Sequence, residues 1–406
     1  MKKLACITPL LCSVLFGGAA ASAVDLDYLN GAPAKPIVAS AMPSYTQEVA
    51  AEAIPEEAAV EEPEKWLSGN VVGYWMDGYK GTDAALAQAW LTAHKSIDSN
   101  RPFSMGYQID ALFGTMNGQC FGDGGFDGKW GVTGDGYAAS IFQAYAEVGM
   151  GKLSAKVGKF GTLLGFEPLD TSADNFLSHT NMYDHEPLTH SGGLLTWAPE
   201  DALELSVGLV SGSDNSFGNN FGDTGFLFGA TLNLDENLSV SYAGELMQVH
   251  SALGADRTAQ SFGYYDLGGV SIGDQNEYLQ SVTLNLGLSD KLSYSFTTNY
   301  GTMEDRATRT QRYSQFGLAN YLTYKHTDNF SSNLRYEYYT QQLEGEEKFD
   351  GIEKESKGNY HDITYSINYM PMENMFILPE IRYDWVDELG AKDDGVTGSV
   401  GFGVLF

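Results

Sequence analysis

Apolar and polar residues alternate one by one along many short stretches of this chain, most clearly over its last eleven residues, 396–406. Even-numbered positions there carry Val, Gly or Phe, whereas odd-numbered positions carry Thr, Ser or Gly, with Leu405 as the exception. A period of two predicts a β-strand with one apolar and one polar face. The length matches the roughly 9–11 residues that a tilted strand needs to cross a bilayer.

A strand of this kind cannot stay unpaired in lipid, because each exposed backbone N–H and C=O group is costly there. Both of its edges must be paired, so the first strand, which begins near Trp66, has to return to it. We therefore expect residues 66–406 to form one closed β-barrel. Its C-terminal side chains Phe402, Val404 and Phe406 are the candidate signal for the barrel assembly machinery.

The connections between the alternating segments are of two unequal kinds. Short ones carry turn residues, as at 289–291, and longer polar stretches separate them. The longer stretches lie near residues 116–136, 162–188, 212–223, 250–276, 303–313 and 342–358. Such alternation is typical of an antiparallel up-and-down transmembrane barrel, here of about 16 strands, all-β and wide enough for a water-filled lumen. Residues 84–93 could equally form a short helix, and a soluble β-sandwich is the alternative fold.

The N-terminus predicts the compartment. Lys2 and Lys3 precede an apolar run that ends in Ala21-Ser22-Ala23, the pattern of a cleaved signal peptide over residues 1–23. Residues 24–65 are rich in Ala, Pro and Glu, which predicts a disordered acidic periplasmic linker. We expect the protein in the outer membrane of a Gram-negative bacterium, in contact with its lipid.

The charge balance excludes some classes of function. Loss of Lys2 and Lys3 with the signal leaves 21 basic and 53 acidic residues, a net charge of −32. This field disfavours nucleic acid and attracts cations. The sequence has no phosphate loop and no Cys/His metal spacing, so we expect no metal and no cofactor. His190-Ser191 invites a comparison with hydrolases, but adjacent strand residues point to opposite faces, and we expect no catalytic residues and no enzyme.

Seven segments of the chain resemble the OmpL-like β-barrel porin family. They read "NRPFSMGYQIDALF" (100–113), "IFQAYAEV" (141–148), "LSAKVGKF" (153–160), "LGFEP" (164–168), "DNFLSHT" (174–180), "EPLTHSGGLLTW" (186–197) and "LSVGLVSGSDNSFG" (205–218). The resemblance implies an outer-membrane barrel with pore activity. It implies no catalytic residues.

Charges within the predicted strands indicate which face lines the lumen, since a charge on the lipid face costs about 2–4 kcal/mol near the midplane. The charged strand residues that should therefore face the lumen, as pore-lining candidates, are Asp110, Glu147, Lys156, Arg335, Glu337, Arg382 and Asp384. Pro379 removes one ladder donor, which predicts a local bulge. Four aromatic residues near the short turns predict an interfacial girdle: Trp197, Phe330, Phe376 and Phe406.

The long connection at residues 162–188 is predicted to fold into the pore. It contains no Lys or Arg, and its carboxylates are Glu167, Asp170, Asp174, Asp184 and Glu186. Carboxylates in a narrow aqueous pore favour cations. His179 and His185 lie among them, so acidification to pH 5–6 is expected to weaken the preference. The alternative is a solvated acidic cap outside the barrel.

These observations predict a porin with a water-filled, cation-preferring channel for passive diffusion of small hydrophilic solutes or ions. The alternative from another class is a plugged structural or adhesive barrel whose long loops bind partners. The resemblance to the porin family also implies a homotrimer, which the residues themselves do not predict.

Overall fold

The computed structural model describes residues 66–98, 101–115, 137–214, 224–249, 274–343, 348–349, 352–353, 356–388 and 390–406. The predicted signal peptide and linker, residues 1–65, lie outside the described residues, and so do parts of the longer polar connections. The boundaries at residues 23 and 65 therefore stay predictions.

Sixteen antiparallel strands close into one barrel. Their bounds are β1 (Leu67–Gly78), β2 (Asp83–Lys95), β3 (Ser104–Gly114), β4 (Ala138–Met150), β5 (Leu153–Gly161), β6 (Thr189–Glu200), β7 (Leu203–Ser213), β8 (Thr224–Asp235), β9 (Leu238–Val249), β10 (Gln275–Ser289), β11 (Leu292–Asp305), β12 (Gln311–Thr327), β13 (Phe330–Leu343), β16 (Ser356–Met372), β17 (Met375–Glu388) and β18 (Ala391–Leu405). The two-residue strands β14 (Lys348–Phe349) and β15 (Ile352–Glu353) pair separately. This confirms the predicted all-β up-and-down barrel, and residues 84–93 belong to a strand rather than a helix.

The barrel closes where the chain ends. β1 pairs with β18 from Asn70↔Leu405 to Gly78↔Thr397. Beyond the ladder, Gly69 and Phe406 exchange two backbone hydrogen bonds of 3.0 and 2.9 Å. The first strand thus returns to the last one, as the C-terminal alternation predicts. Over the described ranges, the chain forms no helix that has both the length and the hydropathy of a membrane span.

The two faces of β18 differ as the period of two requires. Phe402 is 57% exposed on the outside of the barrel, whereas Thr397 and Ser399 are 7% and 9% exposed on the inside. The outer face is therefore the one that lipid covers, and the polar residues line the interior. A soluble sandwich would bury the apolar face instead.

Pro379 does not introduce the bulge that the sequence suggests. The β16–β17 ladder stops after Ser366↔Glu380 and resumes at Tyr369↔Ile377 in the same register. The missing N–H removes pairing locally, but the proline backbone remains compatible with an extended strand. The prediction for Phe376 is also wrong, because this ring is 5% exposed and packs in an apolar cluster with Val72 and Leu378 inside the barrel.

The core of the molecule lies inside the barrel, where residues 162–188 fold back between β5 and β6. We call this segment the inner loop; it contains two short 3₁₀ turns, Thr171–Ala173 and Tyr183–His185. Its apolar residues join three clusters on the wall. These are Leu164 with Leu227 and Leu279, Leu169 and Tyr183 with Val72 and Leu378, and Phe176 and Met182 with Tyr321 and Tyr339. The inner loop is therefore not a solvated cap outside the barrel.

Candidate functional site

The wall of β13 and β17 holds the inner loop by its backbone. The Glu337 carboxylate accepts hydrogen bonds from the backbone N–H groups of Asn181 (2.8 Å) and Met182 (2.6 Å). Glu380 accepts one from the N–H group of Leu177 at 2.8 Å. The wall carboxylates therefore take up backbone donors that the irregular loop cannot satisfy within itself.

Two arginines on the same wall bind the loop's acceptors. Arg335 donates to the carbonyl oxygen of Ser178 at 2.5 Å and to the Glu167 carboxylate at 3.1 Å. Arg382 donates to the carbonyl oxygen of His179 at 2.5 Å. Arg335 is fully buried, so its charge depends on these partners.

The two arginines also share a carboxylate partner on the wall. Asp362 lies between them, 3.4 Å from a nitrogen of Arg335 and 3.4 Å from a nitrogen of Arg382. Arg382 further binds Asp384 at 2.8 Å, and Lys80 lies 3.5 Å from the same carboxylate oxygen. The sequence-predicted residues of this wall thus form one continuous charged network with the inner loop.

Neutral amides anchor the opposite part of the loop. Asp170 accepts hydrogen bonds from Asn70 of β1 at 3.0 Å and from Gln88 of β2 at 2.6 Å. It also caps the first 3₁₀ turn through the N–H group of Ser172 at 2.9 Å. No arginine or lysine of the described part of the chain forms an ion pair with Asp170.

Burial changes the protonation of the loop's carboxyl groups. It raises the pKa of Glu186 to about 8, although the side chain of Asn299 donates a hydrogen bond to it at 2.8 Å. Burial and the nearby Glu167 raise the pKa of Asp174. For Glu167 burial acts in the same direction, but the Arg335 charge, His179 and the Thr180 N–H group together outweigh it and lower the pKa. At neutral pH the carboxyl group of Glu167 is therefore ionised, whereas that of Glu186 is mostly protonated.

The two histidines of the loop differ from each other in how the surroundings change their pKa. His179 lies 3.4 Å from Glu167 and 3.8 Å from Asp174. Burial opposes its charge, but these carboxylates outweigh burial and raise its pKa. His185 stacks on Tyr339 at 4.7 Å, and burial lowers its pKa to about 4. His185 therefore stays neutral at pH 5–6, and the predicted gain of charge there is wrong for this residue.

The remaining predicted residues lie apart from this network. Asp110 accepts hydrogen bonds from Thr92, Gln108 and Gln143 at 2.7–2.8 Å. Glu147 and Lys156 are cross-strand partners on β4 and β5, and the Lys156 ammonium lies 4.9 Å from the ring centre of Tyr145. They form a second polar group, on β2–β5.

Asp184 differs from the other carboxylates of the inner loop, because its side chain is exposed. His190 and Ser191 are both buried, beside a register shift between β6 and β7. The extra residue of this shift lies on β7, and the pairing of β6 with β5 runs through His190 and Ser191 without a shift.

Some residues of the network are not among those predicted from the sequence. Asp362 precedes Ile363, and Glu380 lies between Pro379 and Ile381, so the alternation that places Arg382 inside also places these two side chains there. Asn70, Gln88 and Asn299 gave no comparable signal, because a neutral amide is tolerated on more surfaces than a charge. The described ranges contain no group of three or more His, Cys, Asp and Glu side chains that could hold a metal ion.

Acidic groups outnumber basic ones inside the barrel. Among the described residues, eleven Asp and Glu side chains are buried, compared with three Lys and Arg side chains. The acidic set is Asp110, Glu147, Glu167, Asp174, Glu186, Glu245, Glu277, Glu337, Asp362, Glu380 and Asp384, and the basic set is Lys159, Arg335 and Arg382.

Comparison with known proteins gives a family and a fold. The family model described as "Putative beta-barrel porin-2, OmpL-like" matches residues 65–406. No curated protein sequence matches the chain. The outer membrane channel DcaP of Acinetobacter baumannii is 14% identical with a TM-score of 0.55, covering 84% of this chain and 96% of that chain.

Two further structures have a similar fold. OmpT of Vibrio cholerae in its trimer form is 12% identical with a TM-score of 0.52, covering 84% of this chain and 98% of that chain. An anion-selective porin from Comamonas acidovorans is 10% identical with a TM-score of 0.52 and the same coverage. At these identities the likeness shows the fold alone.

Proposed function

The chain belongs to the OmpL-like β-barrel porin family, and from this premise we propose that it forms a non-enzymatic outer-membrane channel. The channel allows passive diffusion of small hydrophilic solutes and prefers cations. The inner loop narrows its lumen, and the sequence-predicted residues on the loop and the wall line the path.

The excess of carboxylates inside the barrel is the observation that supports a cation preference. Among the described residues, eleven acidic side chains are buried, compared with three basic ones. Protonation of Asp174 and Glu186 reduces the negative charge of this set. Fixed negative charge in a narrow aqueous path attracts cations and repels anions. The fold of the anion-selective relative does not oppose this, because selectivity depends on side chains rather than on the barrel.

The reversal potential across a salt gradient in planar bilayers tests the proposal. Asp184→Asn and Asp170→Asn are suitable changes, because neither carboxylate is paired with an arginine. Each is expected to shift the reversal potential toward zero by a few millivolts. Asp290→Asn, in an exposed short turn, is the matched control. An anion preference of the native channel would overturn the proposal.

A plugged structural or adhesive barrel is the second candidate, and one observation favours it. Loop residues Thr180, Met182 and Tyr183 are at most 4% exposed, so the inner loop fills much of the space along the wall. Stepwise, salt-proportional currents would exclude a plug. Persistent silence of folded, heat-modifiable protein would favour it.

We also propose the assembly steps that the sequence predicts. Residues 1–23 are removed as a signal peptide, and residues 24–65 remain as a periplasmic linker. Phe402, Val404 and Phe406 face outward on the closing strand and register with the barrel assembly machinery. Deletion of residues 404–406 is expected to leave the chain unassembled, without heat-modifiable electrophoretic mobility. A truncated chain that still folds in the outer membrane would contradict this.

A homotrimer is proposed from the outer surface. The outward positions of β3–β5 include small residues such as Ala111, Ala146 and Ala155, whereas those of β13–β17 include Tyr336, Tyr365 and other large rings. Small side chains allow close approach of a second copy, and aromatic side chains suit the lipid interface. Native mass spectrometry in detergent tests this, and a monomer at all protein concentrations would contradict it.

A further inference from the structure

One cavity inside the barrel lies outside both the charged network of β13–β17 and the polar group of β2–β5. It lies between the inner loop and the ends of β11–β13 and β16, and it reaches the short turns that contain Lys291 and Asp328. Its volume is about 230 Å³. This is at the small end of ligand sites and suits a molecule with a single ring.

Four polar side chains line the cavity without partners. Ser293 and Thr323 are opposite each other on β11 and β12, and Ser331 and Asn368 are opposite each other on β13 and β16. None of the four makes a side-chain hydrogen bond to any residue within the described ranges. The side-chain oxygen of Asn368 is also buried without a partner. The buried Asn368 oxygen needs a partner, and a molecule that displaces water from the three partly buried hydroxyl groups must form hydrogen bonds with them in its place.

The opposite side of the cavity is apolar and belongs to the inner loop. Phe166, Pro168 and Ala173 line it there, and the Phe166 ring lies 4.6 Å from the ring of Tyr321. The Phe166 side chain is only partly buried, so part of its ring faces the cavity. A bound molecule therefore meets apolar atoms on one face and hydroxyl or amide groups on the other.

The charges at the mouth are largely balanced. The Lys325 ammonium forms a 2.9 Å ion pair with Asp328. Lys291 lies at the rim as a single additional donor, and Asp174 lies at the back. An apolar solute would leave four polar groups unpaired, and a multiply charged solute would lack a matching charged cluster. Hydroxyl groups that both donate and accept fit Ser, Thr and Asn side chains best.

We propose that this cavity binds a neutral sugar of monosaccharide size. One face of the sugar ring packs on Phe166, and its hydroxyl groups bind Ser293, Thr323, Ser331 and Asn368. Binding itself does not depend on conduction, because the cavity reaches the short turns. A role of the site in transport rests on the proposed porin function.

Titration of the folded barrel with D-glucose, followed by ligand-observed NMR, tests the site. The detergent should be an amine oxide, since sugar head groups would compete. Saturable binding is expected, and Thr323→Val and Phe166→Ala should each weaken it about fivefold. Thr283→Val is the control, because its hydroxyl bonds Thr297 at 3.2 Å inside the barrel but outside this cavity.

Three outcomes would overturn the proposal. They are no saturable binding of glucose, equal binding by the native protein and both cavity variants, or tighter binding of D-gluconate than of glucose. Heat-modifiable mobility verifies that each variant is folded, and Ser331→Ala replaces any variant that fails. Conductance of the same samples reports on the porin function separately.

Discussion

The inner loop meets two parts of the wall by different means. On β7–β11 the contact is apolar, and Leu164 shares a cluster with Leu227 and Leu279. On β13–β17 the contact is charged, and Arg335 and Glu337 bind the loop's carbonyl and N–H groups. Apolar contacts are non-directional, whereas hydrogen bonds fix orientation. The first wall therefore determines how deeply the loop is seated, and the second determines the path of its backbone.

Loss of Arg335 should disturb the charged wall most. In Arg335→Met the carboxylates of Glu167 and Asp362 stay buried without this partner, which should destabilise the docked loop by about 3–5 kcal/mol. Single-channel conductance is expected to rise as the loop leaves the wall, while the barrel still forms. Arg335→Lys keeps the charge but not the planar fork, so an intermediate conductance is expected. Unchanged conductance of the Met variant would show that the charged wall does not hold the loop.

The matching change on the apolar wall is Leu164→Ala. Truncation of this buried side chain should cost the docked loop about 3 kcal/mol. Faster hydrogen exchange of the loop amides is expected, with little change in the reversal potential, since no charge moves. Leu209→Ala, at a 73% exposed outward position, is the control. A shift of ion preference in Leu164→Ala would mean that the two walls do not act separately.

A smaller effect is expected from Glu337→Gln. The amide oxygen can still accept a hydrogen bond, but an NH₂ group replaces the second acceptor oxygen, at a cost of about 1–2 kcal/mol. The N–H groups of Asn181 and Met182 should exchange faster. In the double variant with Leu164→Ala the two losses should add to within about 0.5 kcal/mol, as for sites without shared partners. Strong non-additivity would show that the walls are coupled.

For both walls, the inward direction of the strand side chains could be predicted from the sequence, but their partners on the inner loop could not. Charges such as Arg335 and Arg382 could be placed inside the barrel, because lipid excludes them and strand parity is strict. The closed barrel followed from the same logic, through the strand that ends at Phe406. The partners inside could not be predicted. Contacts such as Glu337 to the backbone of Met182 depend on the loop's conformation, and backbone groups have no sequence signature.

The smallest predicted effect is the pH response of His185. Burial lowers the pKa of His185 to about 4, so its neutral form stabilises the docked loop above the unfolded value near 6.5. This contribution is lost as the pH falls toward 4. Between pH 7 and 5.5 the native loop should lose about 1 kcal/mol relative to His185→Phe, which can keep the ring contact with Tyr339.

Hydrogen exchange of the loop amides in both proteins measures this difference directly. Taking the difference between the two profiles removes the opposite titration of Glu186, whose pKa burial raises to about 8. Parallel profiles would show that His185 does not titrate in this environment. Between pH 7 and 8 both proteins should give the same slope, since His185 is neutral throughout that range.

The contacts of the inner loop join distant parts of the chain. Its hydrogen bonds reach Gln88, 82 positions before Asp170, and Arg382, 204 positions after Ser178. The loop can be held at both sides only when the first and last strands are in place, and contacts of such separation form late. We therefore expect a newly inserted barrel to pass through a stage in which the undocked inner loop leaves the lumen wider than in the mature form. If the proposed channel function is correct, we expect this wider stage to conduct more than the mature barrel, for a time that the rate of loop docking sets.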